Sequence, residues 1–241
     1  SCQRREIVCG SPRTDWVGVS AVFCMLGGMV MNIRREDLRL YAVTDRAWAA
    51  DEAELFRQIE AAVRGGARMV QLREKRIDPG AFLEEAGRFV RLCRRLGALS
   101  IINDSVEAAL KAGADGVHVG QSDLEAGRAR ALLGPGKIVG VSAHSPEEAV
   151  RAQAAGADYL GCGAAFATGS KPDAKPISRE TIRAVTAAVE IPVVAIGGVN
   201  QENILKLKGL GLAGAAVISS IFVQPDPEQA ARELRALAEQ L

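Results

Sequence analysis

Gln71-Leu72-Arg73-Glu74-Lys75 closes a short, largely apolar run, Ala67 to Val70, with three charged residues. A buried strand ends this way when something anionic or polar waits at its tip. Asn103-Asp104 closes a second run, Leu99 to Ile102, and Thr168-Gly169-Ser170-Lys171 lies in a loop after the apolar stretch Tyr159 to Phe166. Strand ends that offer cations, a carboxylate and small hydroxyl or glycine residues suit a magnesium-bound phosphate or diphosphate. Arginine gives phosphate a bidentate fork and lysine a point charge. Arg73 and Lys75 are two residues apart, so on a strand both face one side. The competing reading is a solvated charge cluster with Glu74. Asp104 and Asp123 sit at two successive strand ends, and Mg²⁺ takes one or two carboxylates together with water and substrate phosphate. Each also precedes a helical stretch, so a helix N-cap is the simpler reading for either alone. With cations across the mouth, metal binding becomes the better reading of the two together.

These residues need a scaffold that brings separate strand ends to one place. From Leu38 onward, short apolar runs alternate with longer amphipathic segments. The strand candidates are Leu38–Val43, Ala67–Leu72, Leu99–Ile102, Gly116–Val119, Ile138–Val141, Tyr159–Gly161, Val193–Ile196 and Ala215–Ile218. Apolar spacing of three and four residues predicts helices over Ala50–Arg64 and Pro79–Leu96. Further helices are expected over Ser105–Ala112, Leu124–Leu133, Pro146–Ala155, Arg179–Val189, Gln201–Lys208 and Pro227–Gln240. Ser105 and Ser145 suit helix starts, the second with Pro146 behind it. Glycine follows most helical stretches, as a left-handed cap requires. Lys111-Ala-Gly-Ala-Asp-Gly-Val-His118 and Ala154-Ala-Gly-Ala-Asp-Tyr-Leu160 repeat one helix-to-strand junction. Eight strand–helix units predict an α/β fold, a single (β/α)₈ TIM barrel over residues 37–241. The alternative, a doubly wound open sheet, expects fewer strands and a glycine-rich loop after the first, where Thr44-Asp45-Arg46 stands instead.

A barrel places active residues at the C-terminal ends of its strands. Gly197-Gly198 and Ser219-Ser220 close the seventh and eighth, where backbone N–H groups of barrels often hold a phosphate. Two anion sites, one metal-assisted and one built from backbone, would fit two phosphorylated substrates. His118 and His144 are the only histidines. For His118 a buried, hydrogen-bonded ring is the default against a proton-transfer role, and His144 is placed at the helix start after the fifth strand, where capping or support stands level with catalysis.

Composition limits the alternatives. Thirty basic and 29 acidic residues give a net charge of +1, so nothing supports general nucleic-acid or membrane-surface binding. Aromatics at 4 % are too few for base-stacking platforms. Five cysteines at irregular spacing, with no zinc pattern, favour a reducing cytoplasm. Cys162 reads as a small buried residue rather than a catalytic thiol. Residues 1–36 lack amphipathic pattern. Arg4, Arg5 and Arg13 precede an apolar stretch, Val17 to Val30, that glycines interrupt. The expectation is a disordered extension or a translated upstream segment with the true start at Met29 or Met31, rather than an export signal.

Taken as a set, Leu40-Tyr-Ala-Val-Thr-Asp45, Gln71-Leu-Arg-Glu-Lys75, Ile102-Asn-Asp104, Gly116-Val-His-Val-Gly-Gln-Ser-Asp123, Gly140-Val-Ser-Ala-His144, Thr168-Gly-Ser-Lys-Pro-Asp173 and Ala195-Ile-Gly-Gly198 resemble the thiamine-phosphate synthase family. The resemblance runs from Leu38 to the C-terminus. It implies coupling of a hydroxymethylpyrimidine diphosphate with a thiazole phosphate. Asp104 and Asp123 would hold Mg²⁺. Gln71, Arg73, Lys75, Asn103, Ser142 and Lys171 would bind the pyrimidine diphosphate, with Leu72 and Glu74 in the same strand end. Thr168, Gly169, Ser170, Gly198, Ile218 and Ser219 would bind the thiazole phosphate. Arg73, Lys75 and Lys171 would stabilise the departing diphosphate. Ser170 stands where the family usually has threonine, and the hydroxyl survives. The rival readings are a thiazole tautomerase of the same superfamily, which would need His118 and not the metal set, and a non-catalytic, phosphate-sensing barrel. Partners are expected to be small molecules rather than nucleic acid or membrane, and a homo-oligomer is allowed.

Overall fold

Side-chain alternation along short strands decides the architecture. The computed structural model describes residues 33–241, except 75–76, 122 and 170–174 and the side chains of 123–125. The expectations for residues 1–32 lie outside the described residues. Eight parallel strands pair in chain order: β1 (Leu40–Val43), β2 (Met69–Leu72), β3 (Leu99–Asn103), β4 (Gly116–Val119), β5 (Ile138–Ala143), β6 (Tyr159–Gly163), β7 (Val193–Ile196) and β8 (Gly214–Val217). Leu40 pairs with Ala215, so β8 returns to β1 and the sheet closes. The expected barrel is the fold.

Helices clothe the barrel: α1 (Glu52–Arg64), α2 (Pro79–Leu96), α3 (Val106–Ala112), α4 (Asp123–Leu133), α5 (Pro146–Ala154), α6 (Arg179–Ala188), α7 (Ser219–Phe222) and α8 (Pro227–Ala238). Their starts are fixed locally. Asp51, Ser105, Ser145, Ser178 and Asp226 each accept an N–H from the first turn of the helix they open, a contact worth about 1 kcal/mol per helix.

Strand parity sorts the core into two layers. Leu40, Ala42, Val70, Leu72, Val117, Val139, Leu160 and Cys162 point outward and pack beneath the helices. Tyr41, Val43, Met69, Ile101, Ile138, Tyr159, Val194 and Ala216 point inward and fill the barrel. Inward positions nearer the C-terminal strand ends turn polar, which opens a cavity there.

Two expected elements differ. Leu38 belongs to a 3₁₀ turn, Arg35–Leu38, rather than to β1, and still packs with the inner layer. The helix expected over Gln201–Lys208 is a 3₁₀ segment, Ile204–Leu207. Asn200 accepts the N–H groups of Glu202 and Asn203 through its own side chain, 2.9 and 3.1 Å. This local bonding competes with helical hydrogen bonds.

Candidate active site

β2 shows how the mouth is built. Met69, Gln71 and Arg73 share the inward parity, and Gln71 and Arg73 line a cavity of about 310 Å³ at the C-terminal end of the barrel. Leu72 has the opposite parity and lies fully buried in the outer layer. Glu74 also turns away from the cavity, to Arg46 at 3.1 Å. Arg46 bonds Glu85 of α2 as well, at 2.5 and 2.6 Å. Glu74 is thus no member of a solvated pair with Arg73. Burial pushes the Glu74 and Glu85 carboxyls up, and the shared Arg46 guanidinium works against that shift. Leu72 and Glu74 therefore fall outside the cavity lining, for a reason of strand parity alone. Arg73 is held at its own backbone, which donates to Thr44 Oγ1 at 3.0 Å. Its guanidinium stands 3.7 Å from Asp45, too long for a tight pair, and remains able to take an anion.

β3 contributes Asn103 and Asp104. Asp104 has φ +61°, the one positive φ at a non-glycine residue among the described residues. That left-handed conformation is strained for a side-chain-bearing residue, though aspartate tolerates it best along with asparagine. The N-cap of α3 is Ser105, whose Oγ accepts from Ala108 N at 3.1 Å. Asp104 is thus not the cap. Its carboxylate accepts from Asn103 Nδ2 at 2.7 Å and borders the cavity. Strain of this sort persists where the surroundings hold it, commonly at functional sites. Asp123 opens α4, and its side chain lies outside the described residues. Among the described residues no three His, Cys, Asp or Glu side chains cluster as a metal centre. The Asp104 carboxylate is an oxygen ligand of the kind that a hard cation such as Mg²⁺ takes, and such a cation needs few protein ligands.

A buried polar chain crosses the barrel, and its Gln71, His118 and Ser142 reach the cavity wall. Gln71 Nε2 donates to Tyr41 OH at 2.5 Å. Tyr41 OH lies 2.8 Å from Tyr159 OH, and Tyr159 OH 2.9 Å from His118 Nδ1. His118 Nε2 lies 3.1 Å from Ser142 Oγ. Gly140 leaves room for this chain, since a Cβ there would lie 2.1 Å from the Tyr159 ring. Burial lowers the His118 pKa to about 4, so the ring is neutral at pH 7 and both its nitrogens are engaged. His144 bonds Glu148 through its backbone N–H, 2.6 Å, and its Nδ1, 3.1 Å, which fits the expected helix-start role.

The opposite wall has few side chains. Gly163, Ala164 and Gly197 line it, with Thr168, Ile196 and Ile218. Gly198 has φ +64°, and a Cβ there would stand 2.2 Å from Ala167 O. α7 opens at Ser219 immediately after β8, and Ser220 Oγ bonds Val199 O, which ties this short helix to the β7 loop. Gly169, Gly198 and Ser219 adjoin the cavity without lining it. Lys75, Ser170 and Lys171 lie outside the described residues. Cys162 faces the helices, and burial pushes its thiol up to about 12, as expected of a packing residue.

Of the expected residues, the structure brings Gln71, Arg73, Asn103, Asp104, Ser142, Thr168 and Ile218 to one cavity. Sequence reasoning missed Tyr41, Tyr159 and the Arg46–Glu85 anchor. The available signal was that the only two tyrosines of the chain both stand inside apolar strands, where a buried hydroxyl needs a partner.

Comparison with known proteins agrees with this geometry. The family model described as thiamine monophosphate synthase matches residues 40–221. The chain is 46 % identical over 198 residues to a thiamine-phosphate synthase of Ruminiclostridium cellulolyticum, covering 82 % of this chain and 94 % of that one. It is 48 % identical over 202 residues to the thiamine-phosphate synthase of Chloroflexus aurantiacus, covering 83 % and 93 %. The solved structure of a thiamine phosphate pyrophosphorylase from Pyrococcus furiosus superposes with a TM-score of 0.77 at 37 % identity, over 85 % of this chain and 97 % of that one.

Proposed function

The chain belongs to the thiamine monophosphate synthase family and is a transferase of thiamine biosynthesis, and from that premise we propose how its barrel mouth works. It couples 4-amino-2-methyl-5-hydroxymethylpyrimidine diphosphate with hydroxyethylthiazole phosphate, giving thiamine phosphate and diphosphate. The observation that supports this best is Asp104. It is strained, relieved of capping duty, and set beside Arg73 and Asn103 at one cavity.

Gln71 and Ser142 hold the pyrimidine ring. Arg73, with Lys75, Lys171 and Asn103, holds the diphosphate and stabilises its charge as it leaves, an electrostatic contribution set up before the bond breaks. Asp104 and Asp123 would hold Mg²⁺, which when bound neutralises phosphate oxygens as a Lewis acid. The electron-rich aminopyrimidine supports positive charge on its methylene carbon as the C–O bond breaks, and the thiazole nitrogen then forms the C–N bond. That nitrogen already carries its lone pair, so no general base is required. His118, neutral and bonded at both nitrogens, suits this better than it suits the proton shuttling of a tautomerase. Thr168, Gly169, Ser170, Gly198, Ile218 and Ser219 take the thiazole phosphate, with the start of α7 beside the β7 loop matching the place where barrels often bind phosphate.

Among the described residues no helix is long and apolar enough to cross a membrane, and Cys93 and Cys162 are free thiols. Both features are compatible with work in a reducing cytoplasm. The reading is tested by incubating the purified protein with both substrates and Mg²⁺. Thiamine phosphate and diphosphate should form in equal amounts; absence of both, with thiazole tautomer turnover instead, would overturn it.

A further inference from the structure

Gln71 and Ser142 stand on separate strands of the cavity, yet three buried side chains join them. We propose that Tyr41, Tyr159 and His118 are positioning residues that tie the orientation of the Gln71 amide to whether Ser142 can donate a hydrogen bond to the ligand. The inference rests on the reading of those two residues as the holders of the pyrimidine ring.

The argument is one of proton counting. Gln71 Nε2–H donates to Tyr41 OH. The Tyr41 proton then goes to Tyr159 oxygen, and the Tyr159 proton to His118 Nδ1. His118 must then carry its own proton on Nε2, which donates to Ser142 Oγ. Ser142 is left with its O–H for the ligand, and Gln71 with its Oε1 and its second amide N–H. The serine end can then donate. Turning the Gln71 amide over reverses every bond. Tyr41 then donates to Gln71 Oε1, Tyr159 to Tyr41, and His118 Nδ1–H to Tyr159, while Ser142 donates to Nε2. Ser142 has then spent its one proton and keeps only lone pairs for the ligand. Any mixed arrangement strands a hydroxyl proton or a lone-pair clash inside the barrel, where Tyr41, Tyr159 and His118 are buried and no water replaces the lost bond. In either direction one ring nitrogen accepts and the other donates, as the contacts on both sides of the imidazole require.

The ligand class follows. A ring that turns an acceptor to Ser142, as the ring nitrogen of a 4-aminopyrimidine can, is met only in the first direction. A ring that turns a donor there is met in either, because the serine oxygen keeps a lone pair. The wire therefore sets the polarity of Ser142, and of its three members only His118 reaches the cavity wall.

The test reads the histidine directly in the free protein. The chain has only two histidines, so ¹⁵N imidazole resonances are few, and His144→Gln identifies the second. Wild type should show neutral His118 protonated at Nε2. In Gln71→Glu the carboxylate can only accept, so Tyr41 must donate to it and His118 should switch to the Nδ1–H form. In Gln71→Glu with Tyr41→Phe the wire is cut, and His118 should stay at Nε2–H. An unchanged tautomer in Gln71→Glu, or a switch that persists with Phe at 41, would overturn the proposal. If the Tyr41→Phe protein does not fold, the single Gln71→Glu comparison still decides. In turnover, Tyr41→Phe should raise KM for the pyrimidine diphosphate about tenfold and leave KM for the thiazole phosphate unchanged. A merely structural role would lower thermal stability and move neither KM. Because the tautomer is read without substrate, its failure is distinct from a failed coupling assay.

Discussion

The two walls of the cavity are built by opposite means. On the β2–β3 side, Arg73, Asn103 and Asp104 reach in with charged and amide side chains. On the β6–β8 side, Gly163, Ala164 and Gly197 leave the backbone itself as the surface. A side-chain wall is built by strand parity and can be altered one group at a time. A backbone wall is built by close approach, so any added atom disturbs the packing before it disturbs the ligand. The first wall suits a leaving group whose charge grows during reaction, and the second suits a phosphate that only needs to be held.

The sharpest way to break this division is at Asp104. Asp104→Gly removes the carboxylate and also the left-handed strain at φ +61°. Turnover should fall by roughly a hundredfold or more, while thermal stability holds or rises by about 1 kcal/mol. Loss of activity together with loss of fold would mean that Asp104 is structural.

Gly198→Ala should behave in the reverse manner. Its Cβ would meet Ala167 O at 2.2 Å, so the variant should lose about 2 kcal/mol of stability by denaturant unfolding. KM should rise for the thiazole phosphate more than for the pyrimidine diphosphate. Arg73→Lys keeps the charge and loses the fork. About a tenfold rise in KM for the pyrimidine diphosphate alone is expected from steady-state kinetics.

His118 lies between the walls and gives the smallest effect. Its folded pKa, near 4, is below the ordinary value of about 6.5, so the unfolded chain takes up the proton first. The stability it allows is complete above pH 6.5 and is lost as pH falls toward 4. Between pH 7.5 and 5.5 the loss should be about 1 kcal/mol. Glu74, Glu85 and Asp158 have raised pKa values and act with the opposite sign. The His contribution is therefore read as the difference between wild type and His118→Gln, and equal slopes in the two proteins would contradict it.

Much of the fold was legible because each strand–helix unit carries its own signals. Pro79–Leu96 has three- and four-residue spacing, Asp78 before it and Gly97 after it, and the helix observed has those bounds. Gln201–Lys208 misled because Asn200, just before it, and Asn203 bond locally in a way that hydrophobic spacing does not report. The charged wall was legible from strand ends. The parity that sends Leu72 and Glu74 outward is present in the same five residues that place Gln71 and Arg73 inward. The Tyr41–Tyr159–His118 chain was not legible, because it depends on register. His118 pairs with Gly140, and Gly140 with Tyr159, and only that lateral order brings residues 41 positions apart into contact.

The division of labour between the walls is tested most directly by calorimetric binding of inorganic diphosphate and of thiazole phosphate, each with and without Mg²⁺, to wild type and Asp104→Asn. Diphosphate binding should be strengthened by Mg²⁺ in wild type and lose that dependence in Asp104→Asn, with thiazole phosphate binding the same in both proteins. Equal Mg²⁺ dependence of diphosphate binding in the two proteins, or a matching loss of thiazole phosphate binding, would contradict the account.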